Sequence, residues 1–145
     1  MLLQVSNYSK EVDQLINDTV GKPFGFMDRI KMRGIGSQKL VIEEANEEIE
    51  LLIGDRSFQR HVNIELRPKG IIIWFRVKLD SWVLALPYYR LTIYKSPGHL
   101  SLFAEQWRLK MIPAYYAEMN QNFIHKLLEL KSESALSYAA HDPRD

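Results

Sequence analysis

Apolar side chains recur at every second position along much of this chain, the period of a strand with one buried face. Val62, Ile64 and Leu66 alternate with Asn63, Glu65 and Arg67. Pro68-Lys69-Gly70 reads as a turn, with glycine supplying positive φ. Ile71, Ile73, Phe75, Val77 and Leu79 then form one face of the next strand, and Ile72, Trp74, Arg76 and Lys78 form the other. Asp80-Ser81 turns the chain into Trp82, Leu84 and Leu86, a run ended by Pro87, which has no N–H for a ladder. Leu91 and Ile93 continue on a further strand, and Leu100 and Leu102 follow the Ser96-Pro97-Gly98 turn. Trp107, Leu109 and Met111 mark the last strand.

Two segments show the helical period instead. Val12, Leu15, Ile16 and Val20 share a face, with Ser9 as the cap, Glu11 and Asp13 in the first turn, and Gly21 and Pro23 as the stop. From Ala114 to Lys131, Tyr116, Met119, Phe123, Leu127 and Leu130 form a stripe suited to docking on a sheet. Gly21 to Gly36 is a glycine-rich connector with room for one irregular strand around Phe24 to Met32. Leu40 to Ile53 supports two readings. As a helix, Val41, Ala45, Ile49 and Leu52 share a face; as a hairpin, Leu40 and Ile42 pair with Ile49, Leu51 and Ile53 around Ala45-Asn46. The clean alternation of Ile49, Leu51 and Ile53 favours the hairpin.

Strand signals spaced roughly ten residues apart, with turn chemistry between them, predict a meander. The expected fold is mainly β within the α+β class. About seven antiparallel strands form a barrel or sandwich, with an N-terminal helix and a capping C-terminal helix. Residues 1–131 are expected to make one domain, and the small, polar stretch 132–145 a flexible tail.

The order from Val62 to Lys131 resembles the pleckstrin-homology-like superfold in its bacterial, GRAM-like versions. Three features carry the resemblance: the strand, turn and strand around Leu66-Arg67-Pro68-Lys69-Gly70-Ile71, the strand ending in Leu86-Pro87-Tyr88, and one long helix after the last strand. The resemblance implies an adaptor or a peptide- or lipid-binding module. It also implies basic residues on the first two strands wherever a phosphorylated headgroup is bound. Here the candidate first hairpin carries Glu43, Glu44, Glu47 and Glu48, which repel such a group.

Charge changes the picture locally. The net charge is only +1, which argues against a nucleic-acid partner. Acids crowd the stretch from Glu43 to Asp55, and bases outnumber acids from Arg56 to Lys131. There is no cysteine, so disulfides, thiolate nucleophiles and thiolate metal sites are excluded. Its absence fits a reducing, cytoplasmic setting. The first residues lack the basic and apolar regions of a secretory leader, and no apolar run reaches the roughly 18 residues of a spanning helix.

Few residues advertise chemistry. His61, His99, His125 and His141 have no partner at the spacing of a two-ligand metal unit, so no metal and no cofactor is expected. Gly34-Ile35-Gly36-Ser37 lacks the lysine of a phosphate-binding loop and reads as a connector. No acid and base pair stands out for catalysis. What remains is an aromatic and basic set: Trp74, Arg76 and Lys78 on one strand face, Arg90 beside Tyr88 and Tyr89, and Arg108 and Lys110 alternating with Trp107, Leu109 and Met111. These six charged and aromatic positions, Trp74, Arg76, Lys78, Arg90, Arg108 and Lys110, are the candidate binding residues. The expected function is a non-catalytic binding or protein-interaction module, with a protein partner or a second copy as ligand. A small-molecule or lipid carrier using a barrel interior, or an enzyme with a concealed pocket, is the alternative. Peripheral lipid contact is left open, with nothing in the sequence to support it.

Overall fold

The computed structural model describes residues 1–7 and 9–140. In chain order the elements are β1 (Leu2–Gln4), α1 (Lys10–Val20), α2 (Phe26–Met32), β2 (Leu40–Ala45), α3 (Glu47–Ile53), β3 (His61–Leu66), β4 (Gly70–Val77), β5 (Asp80–Pro87), β6 (Thr92–Ser96), β7 (His99–Ala104), β8 (Trp107–Pro113) and α4 (Gln121–Ala140). Short 3₁₀ turns occupy Ser57–Arg60, Tyr88–Arg90 and Ala114–Tyr116. The described strands form one antiparallel sheet in the order β1-β5-β4-β3-β2-β8-β7-β6. The class is α+β with the sheet dominant.

The sheet is open, which corrects the expected barrel. Closure would require β5 to pair with β6, but β1 already occupies the free edge of β5, with Leu2 opposite Leu84 and Gln4 opposite Trp82. The chain also leaves β5 through Pro87 into a 3₁₀ turn whose Tyr88 is buried in the core. The Tyr88 hydroxyl donates to the Arg67 carbonyl at 2.9 Å. Burial, and then the Glu133 charge, raise the phenol's pKa above its ordinary value.

One face of the sheet carries the main core. Leu40, Ile42, Val62, Ile64, Leu66, Ile71, Ile73, Leu84, Leu86, Leu100, Leu102, Leu109 and Met111 are all buried there, roofed by Ile49 and Ile53 of α3 and by Phe123, Ile124 and Leu127 of α4. Each buried aliphatic side chain of this kind contributes about 1.5–3 kcal/mol. The second face is covered only in part. Ile16 and Val20 of α1 sit on Ile72, Val83 and Ala85, with Val12, Leu3 and Trp74 at the margin. Ile72, expected among polar neighbours, is therefore fully buried beneath α1.

Several local expectations change. Leu40–Ile53 is neither the hairpin nor a single helix: β2 runs to Ala45 and α3 starts at Glu47. Glu47, Glu48 and Glu50 in the first turn of α3 suit the helix dipole. The irregular strand expected around Phe24 to Met32 is the helix α2, whose side chains are mostly good helix formers. The last helix begins seven residues later than Ala114, at Gln121. Asn120 caps it, its side chain accepting from the backbone of Asn122 at 3.0 Å and Phe123 at 3.2 Å. Tyr115 and Tyr116 both have φ of 58°, so no α-helix runs through them, and Tyr116 is fully exposed rather than docked. α4 extends to Ala140, into the stretch expected to be a tail; residues 141–145, including His141, lie outside the described residues. Leu79, assigned to the interior, is 88% exposed because Lys78 and Leu79 form the two-residue loop between Val77 and Asp80.

Gly70 is needed for space, not for positive φ. A Cβ there would lie 2.4 Å from the Leu86 carbonyl oxygen and 2.6 Å from Val20 Cγ1. α1 reaches the sheet at this point. Arg67, itself buried, fastens the contact by donating to the Gly21 carbonyl at 2.9 Å and to Asn17 Oδ1 at 3.1 Å.

A basic and aromatic groove beside α1

Beyond the edge of α1 the outer sheet face is uncovered, and strand register decides which side chains meet there. The β3–β4 pairing sets Asn63 directly opposite Trp74, and Val62 opposite Phe75. His61 therefore falls on the same face as Arg76, and Arg76 is opposite Ser81 on β5. On the other flank Val41 is opposite His61, and Lys39 lies immediately before β2, its carbonyl accepting from the Ala114 amide at 3.0 Å. The Ser57–Arg60 turn brings Phe58, and the turn after β8 brings Tyr115. The result is a groove of about 730 Å³ lined by Lys39, Phe58, His61, Trp74, Arg76, Lys78 and Tyr115, among others.

Aromatic surface and positive charge dominate this groove. The Tyr115 ring stands 5.6 Å from the His61 ring at 59°. Phe58 is 55% exposed and Tyr115 is 75% exposed. Lys39, Arg76 and Lys78 supply fixed positive charge, and no carboxylate is among the lining residues. Trp74 is half-buried against α1, and its indole N–H donates to Glu65 Oε1 at 3.3 Å. Glu65 in turn pairs with Arg67. The indole is thus fixed through a chain of contacts to the end of α1, and Glu65 is occupied beneath the groove. An arrangement with one imidazole, three cationic side chains and no carboxylate among its lining residues is suited to holding an anion rather than to passing protons.

The other candidate residues lie elsewhere. Arg90 pairs with Glu105 and stacks over the Tyr89 ring at 5.2 Å, at the end of β5. Lys110 lies 3.6 Å from Glu43, which also lies 3.4 Å from His99. Glu43 reaches both from an irregularity in β2 between Ile42 and Glu44, so it is not simply part of a solvated acidic turn. Arg108 reaches the Ala45 carbonyl at 3.5 Å. Arg108 and Lys110 sit on β8, separated from β4 by β2 and β3. The structure thus brings Trp74, Arg76 and Lys78 together, and leaves Arg90, Arg108 and Lys110 apart from them.

Sequence reasoning missed Lys39, Phe58, His61 and Tyr115 as groove residues. The signal for His61 was present, since the tight turn at Pro68-Lys69 fixes the β3–β4 register. The other three arrive through tertiary contacts. A second cleft of about 910 Å³ adjoins the groove at Tyr115 and is lined by Val41, Glu43, Ile112, Tyr116 and Glu118, with no lysine or arginine. Among the described residues no group of His, Asp or Glu is placed to hold a metal, and no helix is long and apolar enough to cross a membrane. A scan against protein-family models, a search of curated proteins and a search of solved structures each return no match to this chain.

Proposed function

We propose that this chain is a non-catalytic binding module of the pleckstrin-homology-like kind, whose groove takes an extended acidic segment of a partner protein. One observation carries this reading: the groove joins Lys39, Arg76 and Lys78 to exposed aromatic rings with no carboxylate in its lining. Fixed cations select negative charge, and rings in the floor and walls supply apolar contact at low entropic cost. The three features of the resemblance occur as structure: the β3–turn–β4 hairpin, the Pro87-Tyr88 step after β5, and α4 after β8. They support the family reading. The carrier alternative relied on a barrel interior. It loses that support in an open sheet whose covered face is filled by side chains from α3 and α4.

A second copy of the chain is favoured as partner by one further observation. The basic groove and the lysine- and arginine-free cleft bearing Glu118 meet at Tyr115, so a two-fold axis there would set the groove's cations against Glu118. Calorimetric titration with a glutamate-rich peptide tests the main reading. Saturable, salt-sensitive binding that is lost in the Arg76→Glu, Lys78→Glu variant is expected. Equal binding by wild type and variant would overturn it. Light scattering across a concentration series, with and without the same substitutions, separates the second copy from a different partner.

A further inference from the structure

We infer that α2 docks the protein on an anionic lipid surface, at a site separate from the groove and not dependent on it. Phe26, Met27 and Ile30 are 76%, 65% and 57% exposed, three large apolar side chains on a helix of seven residues. With about 100° between successive helical residues, the three fall on one arc. Arg29 lies on one flank of that arc, while Lys31, past its other edge, lines a hollow against α4 together with Asp28, Glu129 and Glu133. Lys22 and Arg33 are exposed just beyond the two ends of the helix. Asp28 is the one acid between Lys22 and Lys39, and it lies on the opposite side, lining the same hollow with Met32 and Phe24.

The helix is held firmly from behind. Phe24 and Met32 pack on the main core. Lys126 of α4 donates to the Met32 carbonyl at 3.1 Å and to the Gly34 carbonyl at 2.9 Å, and Arg29 Nε donates to the Phe24 carbonyl at 2.9 Å. The apolar arc is therefore presented outward on a fixed base. Apolar side chains bordered by cations are the arrangement of a helix lying in a lipid interface, where the rings enter the acyl boundary and the cations meet anionic headgroups. A protein partner fits less well. Two turns of helix fall far short of the roughly 800 Å² each partner contributes to a stable interface, whereas a bilayer needs only a few inserted side chains.

Flotation of the full chain with vesicles decides the matter, comparing phosphatidylcholine mixed with phosphatidylserine against phosphatidylcholine alone. Wild type is expected to float with the mixed vesicles, to release as salt rises, and to bind phosphatidylcholine alone weakly. Phe26→Ser with Ile30→Ser should weaken binding about tenfold or more while leaving the melting temperature unchanged, since both side chains are exposed. Lys22→Gln and Arg33→Gln should each cost roughly fivefold in affinity for the mixed vesicles. Failure of wild type to float, or floating unaffected by both sets of substitutions, overturns the proposal. So does a dimer that Phe26→Ser with Ile30→Ser converts to monomer, which would assign the face to a second copy. Each of these outcomes leaves peptide binding in the groove untouched.

Discussion

Arg60 grips Glu50 with two parallel hydrogen bonds, Nη1 to Oε2 at 2.8 Å and Nη2 to Oε1 at 2.9 Å. The same guanidinium donates to the carbonyls of Ile42 at 2.9 Å, Glu43 at 3.0 Å and Gly54 at 3.1 Å. Glu50 also accepts from the Ala45 amide at 2.9 Å. One ion pair thus fastens the end of β2, the end of α3 and the turn that carries Phe58 into the groove. Arg60→Met leaves three carbonyls without this donor and is expected to cost about 3 kcal/mol, read by urea unfolding.

The same pair sets a pH dependence. The hydrogen bond from Arg60, aided by its charge, lowers the Glu50 pKa below its ordinary value. The unfolded chain therefore binds the proton first, near the usual glutamate value of about 4.3. The stabilisation is complete above that value and is lost as pH falls through the lower, folded value. The stability gap between wild type and Glu50→Gln should be constant near neutrality and narrow below about pH 4. A gap that widens in acid would contradict this sign.

Gly70→Ala is expected to destabilise by about 1–3 kcal/mol, because the added methyl meets the Leu86 carbonyl and Val20. Gly36→Ala is the control. Nothing lies within 4 Å of a Cβ at that position, so thermal melting should move little.

Phe123 and Leu127 are buried where α4 roofs the sheet. Alanine at either position should cost about 2–5 kcal/mol by chemical denaturation. Wild-type midpoints in both variants would mean that α4 does not dock.

Trp74→Ser should lower stability by about 2 kcal/mol, since the ring is half-buried against α1 and held by Glu65. An oligomer dissolved by this change, seen by light scattering, would instead make Trp74 an intermolecular contact.

The strands from Val62 to Met111 were legible because each runs long enough to show a period of two and ends at a turn with recognisable chemistry. β1 was not, since three residues carry no period; it adds an edge strand beside β5. The β2–α3 junction defeated periodicity because strand and helix meet at Asn46 within one short apolar run. Trp74, Arg76 and Lys78 were legible as one face by alternation alone. Lys39 reaches that face from the segment before β2, and Phe58 and Tyr115 from two separate turns; local pattern contains no trace of such an approach.

The groove itself is tested most directly by mapping amide chemical shifts while a glutamate-rich peptide is added to the ¹⁵N-labelled protein. Saturable shifts are expected at Lys39, Phe58, His61, Trp74, Arg76, Lys78 and Tyr115, with Arg90 and Arg108 unmoved. Shifts centred on Arg90 or on Arg108 and Lys110, or none at all, would contradict a binding site at this groove.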